Sequence, residues 1–153
     1  MTRAAYIRRE AVVSALVNAA ISAGFVLAVF GMGPVPVWGL PGYVSDFVPQ
    51  GFMVGLMAGL VPSLLARRAV VRGAIEGVAT IDKWSNALLV AVFTGLLCAA
   101  AGSMGAAALL TVSETGTVPF ALALGTKVIF GAGLGWLVTR QTLARLLHPM
   151  AAA

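Results

Sequence analysis

The dominant pattern in this chain is four long apolar stretches, separated by shorter segments that carry nearly all of the charges. The stretches cover residues 11–32, 47–66, 86–112 and 118–139, and only the last contains a charged residue, Lys127. Each stretch reaches the roughly 20 residues that an α-helix needs to cross a hydrocarbon core of about 30 Å. The stretches do not show the alternating polarity of barrel strands. The pattern therefore predicts an all-α membrane protein, a bundle of four transmembrane helices.

Composition supports a lipid environment and excludes a nucleic-acid partner. Hydrophobic residues make up 60% of the chain and charged residues only 10%, whereas soluble domains average about 45–50% and about 25%. The net charge of +5 does not indicate nucleic-acid binding, because the basic residues flank the apolar stretches and do not line one soluble face. The predicted solvent of the chain is the lipid bilayer.

The positions of Lys and Arg predict the orientation of the helices. Basic residues precede the first span, lie between the second and third, and follow the fourth, whereas segments 33–46 and 114–117 have none. The positive-inside rule then places both termini and the loop at 67–84 on the cytoplasmic side of a bacterial inner membrane. The first span is too long for a signal peptide and lacks an A-x-A cleavage site, so we expect it to be retained.

The two longer loops differ in character. Segment 34–45 contains three prolines and no charge, and its Trp38 and Tyr43 are residues that favour the membrane interface. We expect this outer loop to lie flat on the outer leaflet or to dip into it. The cytoplasmic loop begins with Arg67, Arg68 and Arg72, which should attract anionic lipid headgroups or serve only to fix the topology.

Small residues recur every fourth position in the spans and predict close helix packing. Residues four apart lie on one helix face, and in lipid the close approach of backbones drives helix association. The longest row, in the third span, comprises Ala87, Ala91, Gly95, Ala99, Ser103, Ala107 and Thr111. The other predicted packing residues are Gly51, Gly55, Gly59, Gly131 and Gly135, together with Asn18, for which we expect an interhelical hydrogen bond.

The order of the spans allows a repeat of two hairpins, the first made of spans one and two and the second of spans three and four. Such a repeat would be related by an axis along the membrane normal. Asn18 and Asn86 lie near the start of the two hairpins. Little other identity links the halves.

Pro62 lies near the cytoplasmic end of the second span. There it either shapes the packing of the helix or forms a hinge.

Lys127 is the residue that most needs an explanation. It lies near the middle of the fourth span, where a charge costs about 2.5–3.5 kcal/mol. Counting from residue 118, its Cα is about 14 Å from the outer end, and its side chain should point outward. Asp46 and Gln50 lie near the same end of the second span. We therefore expect a pocket that contains Lys127 with Asp46 or Gln50 beneath the outer loop. Snorkelling of Lys127 beside a structural partner is the alternative interpretation.

Several kinds of chemistry are absent from the sequence. Cys98 and His148 are the only residues of their types, and all five acidic residues lie outside the four spans. An intrachain disulfide, a bis-histidine haem site and a clustered metal site are thereby excluded. No nucleophile–base pair or phosphate-binding glycine motif is present within the spans. We expect no catalytic activity, no cofactor and no bound metal.

Two functions fit these observations. The first is a channel-like or transporter-like protein that acts as an oligomer, with a polar site around Lys127 that would attract an anionic group. The second is a non-catalytic accessory subunit, which packs through its small-residue rows against a larger membrane complex. Purification distinguishes them, because a transporter should run alone as a homo-oligomer and a subunit should bring other chains with it.

Overall fold

Four long helices form the protein, as the sequence predicts. A computed structural model describes residues 1–76, 87–113 and 116–147. The helices are α1 (Arg3–Phe30), α2 (Phe47–Val71), α3 (Ala87–Ser113) and α4 (Phe120–Leu146). All four are long and apolar enough to cross a membrane. The prediction of an all-α bundle with four membrane-spanning helices is confirmed.

Three helices continue beyond the apolar stretches that identified them. Helix α1 begins at Arg3 and not at residue 11, and it therefore contains Glu10, an acidic residue that the sequence had placed outside the spans. Helices α2 and α4 likewise extend past their predicted ends, to Val71 and Leu146. The reason is physical, since the apolar stretch marks only the part of a helix within hydrocarbon, and charged residues such as Arg and Glu are good helix formers in water.

The helices pack in the spatial order α1–α4–α2–α3. Helix α1 packs along α4, α2 packs along α3, and α2 meets α4 at the centre of the bundle. The helices that are neighbours in sequence, α1 with α2 and α3 with α4, touch only slightly. Each hairpin is therefore held together by the other hairpin and not by contacts between its own two helices.

The contacts repeat as if the two hairpins were related by a two-fold axis. Exchanging α1 with α3 and α2 with α4 converts the α1–α4 contact into the α3–α2 contact and leaves the α2–α4 contact unchanged. Two short strands, β1 (Val35–Pro36) before α2 and β2 (Thr117–Val118) before α4, pair antiparallel with each other. An axis along the membrane normal would relate the hairpins in this way. Asn86, the predicted counterpart of Asn18, lies outside the described residues.

Glycines bring α2 and α3 into backbone contact. A Cβ atom added to Gly51 would lie 2.8 Å from the Cα of Ala99, and one added to Gly55 would lie 2.8 Å from the Cα of Gly95. Neither contact leaves room for a side chain, because the neighbouring atoms are backbone. At Gly59 the corresponding distance is 3.5 Å, to the Cβ of Ala91. The helices are thus closest toward the start of α2.

The second close interface joins α4 to α1. A Cβ at Gly135 would lie 2.7 Å from the Nδ2 of Asn18, and a Cβ at Gly131 would collide with the Oγ of Ser22. Among the described residues, Asn18 makes no interhelical hydrogen bond, although the sequence predicts one. Its Nδ2 donates to the carbonyl oxygen of Ser14 at 2.8 Å, within α1, and the side chain contacts α4 at Gly135, where a larger residue would not fit.

The long row in α3 serves as an interface only in part. Ala91, Gly95 and Ala99 are buried, but further along the row Ser103 and Ala107 are half-buried and Thr111 is exposed. Each step of four residues turns a helix about 40° past a full turn, so a row at this spacing rotates away from a straight neighbour. The buried stripe continues instead on Cys98, Gly102 and Ala106.

The capping loop, residues 31–46, folds across one end of the bundle. The side chains of Val35 and Val37 are fully buried, and that of Tyr43 is nearly so. They pack with Phe47, Val118 and Ala123 in one cluster. Trp38 and Leu40 remain exposed and can contact the membrane–water interface. Most of the loop, however, covers the ends of helices. We call this side of the bundle the loop end, and the opposite side, where α1 begins and α4 ends, the terminal end.

Candidate functional site

Lys127 lies in the interior of the bundle, close to the loop end. Its side chain is fully buried, with 0% of its surface exposed. Helix α4 begins at Phe120, two residues after the predicted start, so the Cα of Lys127 is only about 10 Å from the end of its helix. The residue shares its buried face with Ala123 and Gly131. It faces protein and not lipid.

The ammonium of Lys127 forms an ion pair with Asp46. Nζ lies 2.8 Å from Oδ2, and both side chains are almost completely buried. Asp46 immediately precedes α2, where a carboxylate ordinarily accepts hydrogen bonds from backbone N–H groups. Its side chain makes no such capping bond and is directed at Lys127 instead. Because Asp46 lies on one hairpin and Lys127 on the other, the ion pair joins the two halves of the bundle.

Aromatic rings enclose the ammonium. Nζ lies 3.5 Å from the ring centroid of Phe47 and 5.1 Å from that of Tyr43, distances at which a cation is attracted to an aromatic face. Phe47 also packs edge-to-face against Tyr43 and Phe130. The hydroxyls of Tyr43 and Thr126 share a hydrogen bond of 2.6 Å. Burial raises the pKa of Tyr43, and the bond to Thr126 only partly opposes this shift, so the phenol stays neutral.

Gln50 joins three helices but does not touch the ammonium. Its Nε2 donates to the Oγ of Ser22 at 2.8 Å and to the carbonyl oxygen of Lys127 at 3.1 Å. The sequence allowed either Asp46 or Gln50 as the partner of Lys127, and the structure pairs the ammonium with Asp46. The Oε1 atom of Gln50 is buried and accepts no hydrogen bond from the described part of the chain. It is an acceptor available to a further donor.

Several residues of the site were not anticipated in this role. The sequence predicts Tyr43 only as an interfacial ring, and it assigns no role in this site to Phe47, Thr126 or Phe130. Phe47 directly follows Asp46 in the sequence, but nothing in a single sequence distinguishes a ring over a cation from a ring in a core. Ser22 offered a weak signal, because it follows Ser14 and Asn18 at intervals of four on α1.

The chemistry of the site follows from its charge balance. Lys127 and Asp46 together are neutral, and neither Nζ nor Oδ2 makes a hydrogen bond elsewhere in the described residues. An anionic group that reached Nζ would compete with the carboxylate of Asp46 for the ammonium. Tyr43, Phe47 and Phe130 separate the ion pair from an apolar groove of about 400 Å³, which they line together with residues of α3 and α4.

Comparison with known proteins adds no assignment to this site. No protein-family model, no curated protein and no solved structure matches the chain.

Proposed function

We propose that this protein is a small channel-like or transporter-like membrane protein, which acts as an oligomer and handles anionic solutes at Lys127. The observation that supports the proposal is the fully buried ion pair between Lys127 and Asp46, which connects the two hairpins. The proposal assigns the protein no catalytic step.

The energetics of the ion pair favour a role beyond stability. Replacing a buried ion pair by apolar residues of similar volume is often neutral, or stabilises a protein by about 1–4 kcal/mol. A bundle that only needed to fold would gain nothing from Lys127 at this depth. Charged residues that face the interior of a membrane bundle commonly belong to solute or ion pathways.

A displacement mechanism follows from the contacts. An anionic group that reaches Nζ replaces the carboxylate of Asp46, and the start of α2 then loses its ionic attachment to α4, while the bond from Gln50 to the carbonyl oxygen of Lys127 remains. The apolar groove between α3 and α4 lies directly behind Phe47 and Phe130, which makes rotation of these rings the shortest route to the ammonium. Because four helices enclose little space of their own, a continuous pathway would be formed with a second copy of the chain.

The distribution of charge supports the proposed orientation. Arg3, Arg8 and Arg140 lie toward the terminal end, whereas the capping loop contains no Lys or Arg. The positive-inside rule places the terminal end in the cytoplasm of a bacterial cell. The ion pair would then lie nearer the outer surface of the inner membrane.

A second candidate, an accessory subunit of a larger complex, is favoured by one observation. Helices α1 and α2 leave between them a groove of about 370 Å³, lined by Met53, Met57 and Asn18 among others. Flexible methionines adapt well to a partner surface. Purification from native membranes tests this alternative, since an accessory subunit would arrive with other chains and the proposed transporter would arrive as copies of itself.

Ion flux from proteoliposomes tests the proposed function. Vesicles that contain the protein are loaded with chloride, acetate or phosphate, and efflux is compared with that of a Lys127→Met/Asp46→Leu variant. We expect measurable efflux of at least one anion and its loss in the variant, because the ammonium is the only buried cation in the described spans. Arg145→Met, which removes a positive charge from an exposed position of the same helix, should transport normally. Equal flux in the folded double variant would contradict the proposal.

A further inference from the structure

A basic groove lies at the terminal end, on the opposite side of the bundle from the α3 helix. It is formed by the first turns of α1 and the last turns of α4, and its volume is about 750 Å³. Three arginines line it, Arg3, Arg8 and Arg140, and none of the lining residues is acidic. Glu10, the nearest acid on α1, is paired instead with Arg9 at 2.6 Å.

The groove is partly preformed. The guanidinium of Arg3 donates to the carbonyl oxygen of Ala144 at 3.1 Å, which holds this side chain across the two helices. The Nε of Arg3 is buried and has no hydrogen-bond partner among the described residues. The guanidinium of Arg140 lies 5.2 Å from the ring centroid of Trp136, a cation–π distance. The positive end of the α1 dipole adds to the same field.

We propose that this groove binds the phosphate of an anionic phospholipid. A phosphate has the charge and the acceptor oxygens that guanidinium groups recognise, and the position of the groove argues for a lipid as its source. Arg8 and Arg140 lie just outside the apolar stretches of α1 and α4, and Trp136 is a side chain typical of the headgroup region. Ile7, which is partly exposed, lines the groove beside the arginines and offers an apolar surface to the start of an acyl chain.

This site differs from the basic segment Arg67–Arg72, for which the sequence predicts only a general attraction to anionic lipid headgroups. A groove between two helices that holds three arginines and a tryptophan resembles the basic pockets in which membrane proteins retain individual anionic lipids. A bound lipid would bridge α1 and α4. The interface that it strengthens is the one made by Gly131 and Gly135 with α1.

Titration of the purified full-length protein in detergent tests the proposal. Phosphatidylglycerol, phosphatidylcholine and soluble glycerol phosphate are added separately, and the thermal unfolding midpoint is followed, because a ligand that binds the folded state raises it. Phosphatidylglycerol should raise the Tm, whereas the other two should not. Native mass spectrometry should then detect phosphatidylglycerol on the protein.

Two variants with the same change of charge locate the effect. Arg8→Gln/Arg140→Gln should weaken the apparent affinity for phosphatidylglycerol by about five-fold per arginine removed. Arg68→Gln/Arg145→Gln, which changes arginines outside the groove, should keep the affinity of the parent protein. Arg8→Gln alone, at an exposed position, provides a milder variant with an intact fold.

Three results would overturn the proposal. The first is an unchanged affinity in Arg8→Gln/Arg140→Gln, the second is an equal loss in both double variants, and the third is stabilisation by glycerol phosphate as strong as that by phosphatidylglycerol. The last result would assign the groove to a soluble phosphate compound and not to a lipid.

Discussion

At the scale of single residues, the central feature is a positive charge whose burial is complete. Lys127 does not snorkel to the surface, because its ammonium is held by the carboxylate of Asp46 and covered by Phe47 and Tyr43. This arrangement determines what removal of the lysine should do. A Lys127→Met variant leaves the carboxylate of Asp46 buried without its partner, so a loss of stability is expected together with any loss of function.

A double-mutant cycle on the ion pair separates these effects. Lys127→Met and Asp46→Leu should each lower the free energy of unfolding by about 3–5 kcal/mol, because each leaves one buried charge unpaired. The double variant should recover most of this loss, and it can exceed the stability of the parent protein by about 1–4 kcal/mol. Chemical unfolding in detergent measures all four proteins. Additive losses in the double variant would mean that the two side chains do not interact.

At the scale of the helices, the bundle depends on two glycine-mediated interfaces. Gly51 and Gly55 bring α2 against α3, and Gly131 and Gly135 bring α4 against α1. Gly59 belongs to the same row as Gly55 but meets its neighbour at an ordinary van der Waals distance. The two positions therefore form a matched pair for a test of packing.

Gly55→Ala should destabilise the protein and Gly59→Ala should not. The new methyl group at Gly55 would lie 2.8 Å from the backbone of Gly95, and overpacking of this kind costs about 1–3 kcal/mol. The methyl group at Gly59 would meet Ala91 at 3.5 Å, and the variant also gains up to about 1 kcal/mol of helix propensity. Thermal unfolding of the two variants in one detergent gives the comparison. Equal stabilities of the two variants would contradict the close backbone contact between α2 and α3 at Gly55.

At the scale of the whole molecule, the two hairpins interlock and each completes the other. The central contact between α2 and α4 and the pairing of β1 with β2 lie where a two-fold axis would pass. The ion pair between Asp46 and Lys127 also crosses from one hairpin to the other. A relative movement of the hairpins would therefore break this ion pair, which is the element that the proposed displacement mechanism uses.

Cysteine labelling tests the orientation of the whole bundle. In a Cys98→Ala background, cysteines at Ala4 and Ala74 should be protected from an impermeant thiol reagent in intact cells, whereas a cysteine at Gly116 should react. All three positions are exposed, and Ala74 is preferable to Gly73, whose φ of 67° disfavours a side chain. The expectation rests on the lack of Lys and Arg in the capping loop and near Gly116. Labelling at Ala4 or Ala74, with protection at Gly116, would reverse the orientation.

The sequence by itself determined the number of helices and the residues that needed an explanation. Length and hydropathy report the solvent of each segment, so four spans could be counted without knowledge of their neighbours. The same local pattern identified Lys127, because a charge in hydrocarbon is costly wherever the other helices lie. It also placed Asp46 and Gln50 at the correct end, since depth along a helix follows from the rise per residue.

Only the tertiary structure decided which residues meet. The order α1–α4–α2–α3, the choice of Asp46 over Gln50, and the rings around the ammonium depend on contacts between residues far apart in the chain. The sequence also could not show where the seven-residue row in α3 ceases to be buried. That point depends on the neighbouring helix, because the row gradually rotates away from it. The sequence also could not assign Glu10 and the arginines of the groove to helices. Both helices continue into water, where hydropathy no longer marks them.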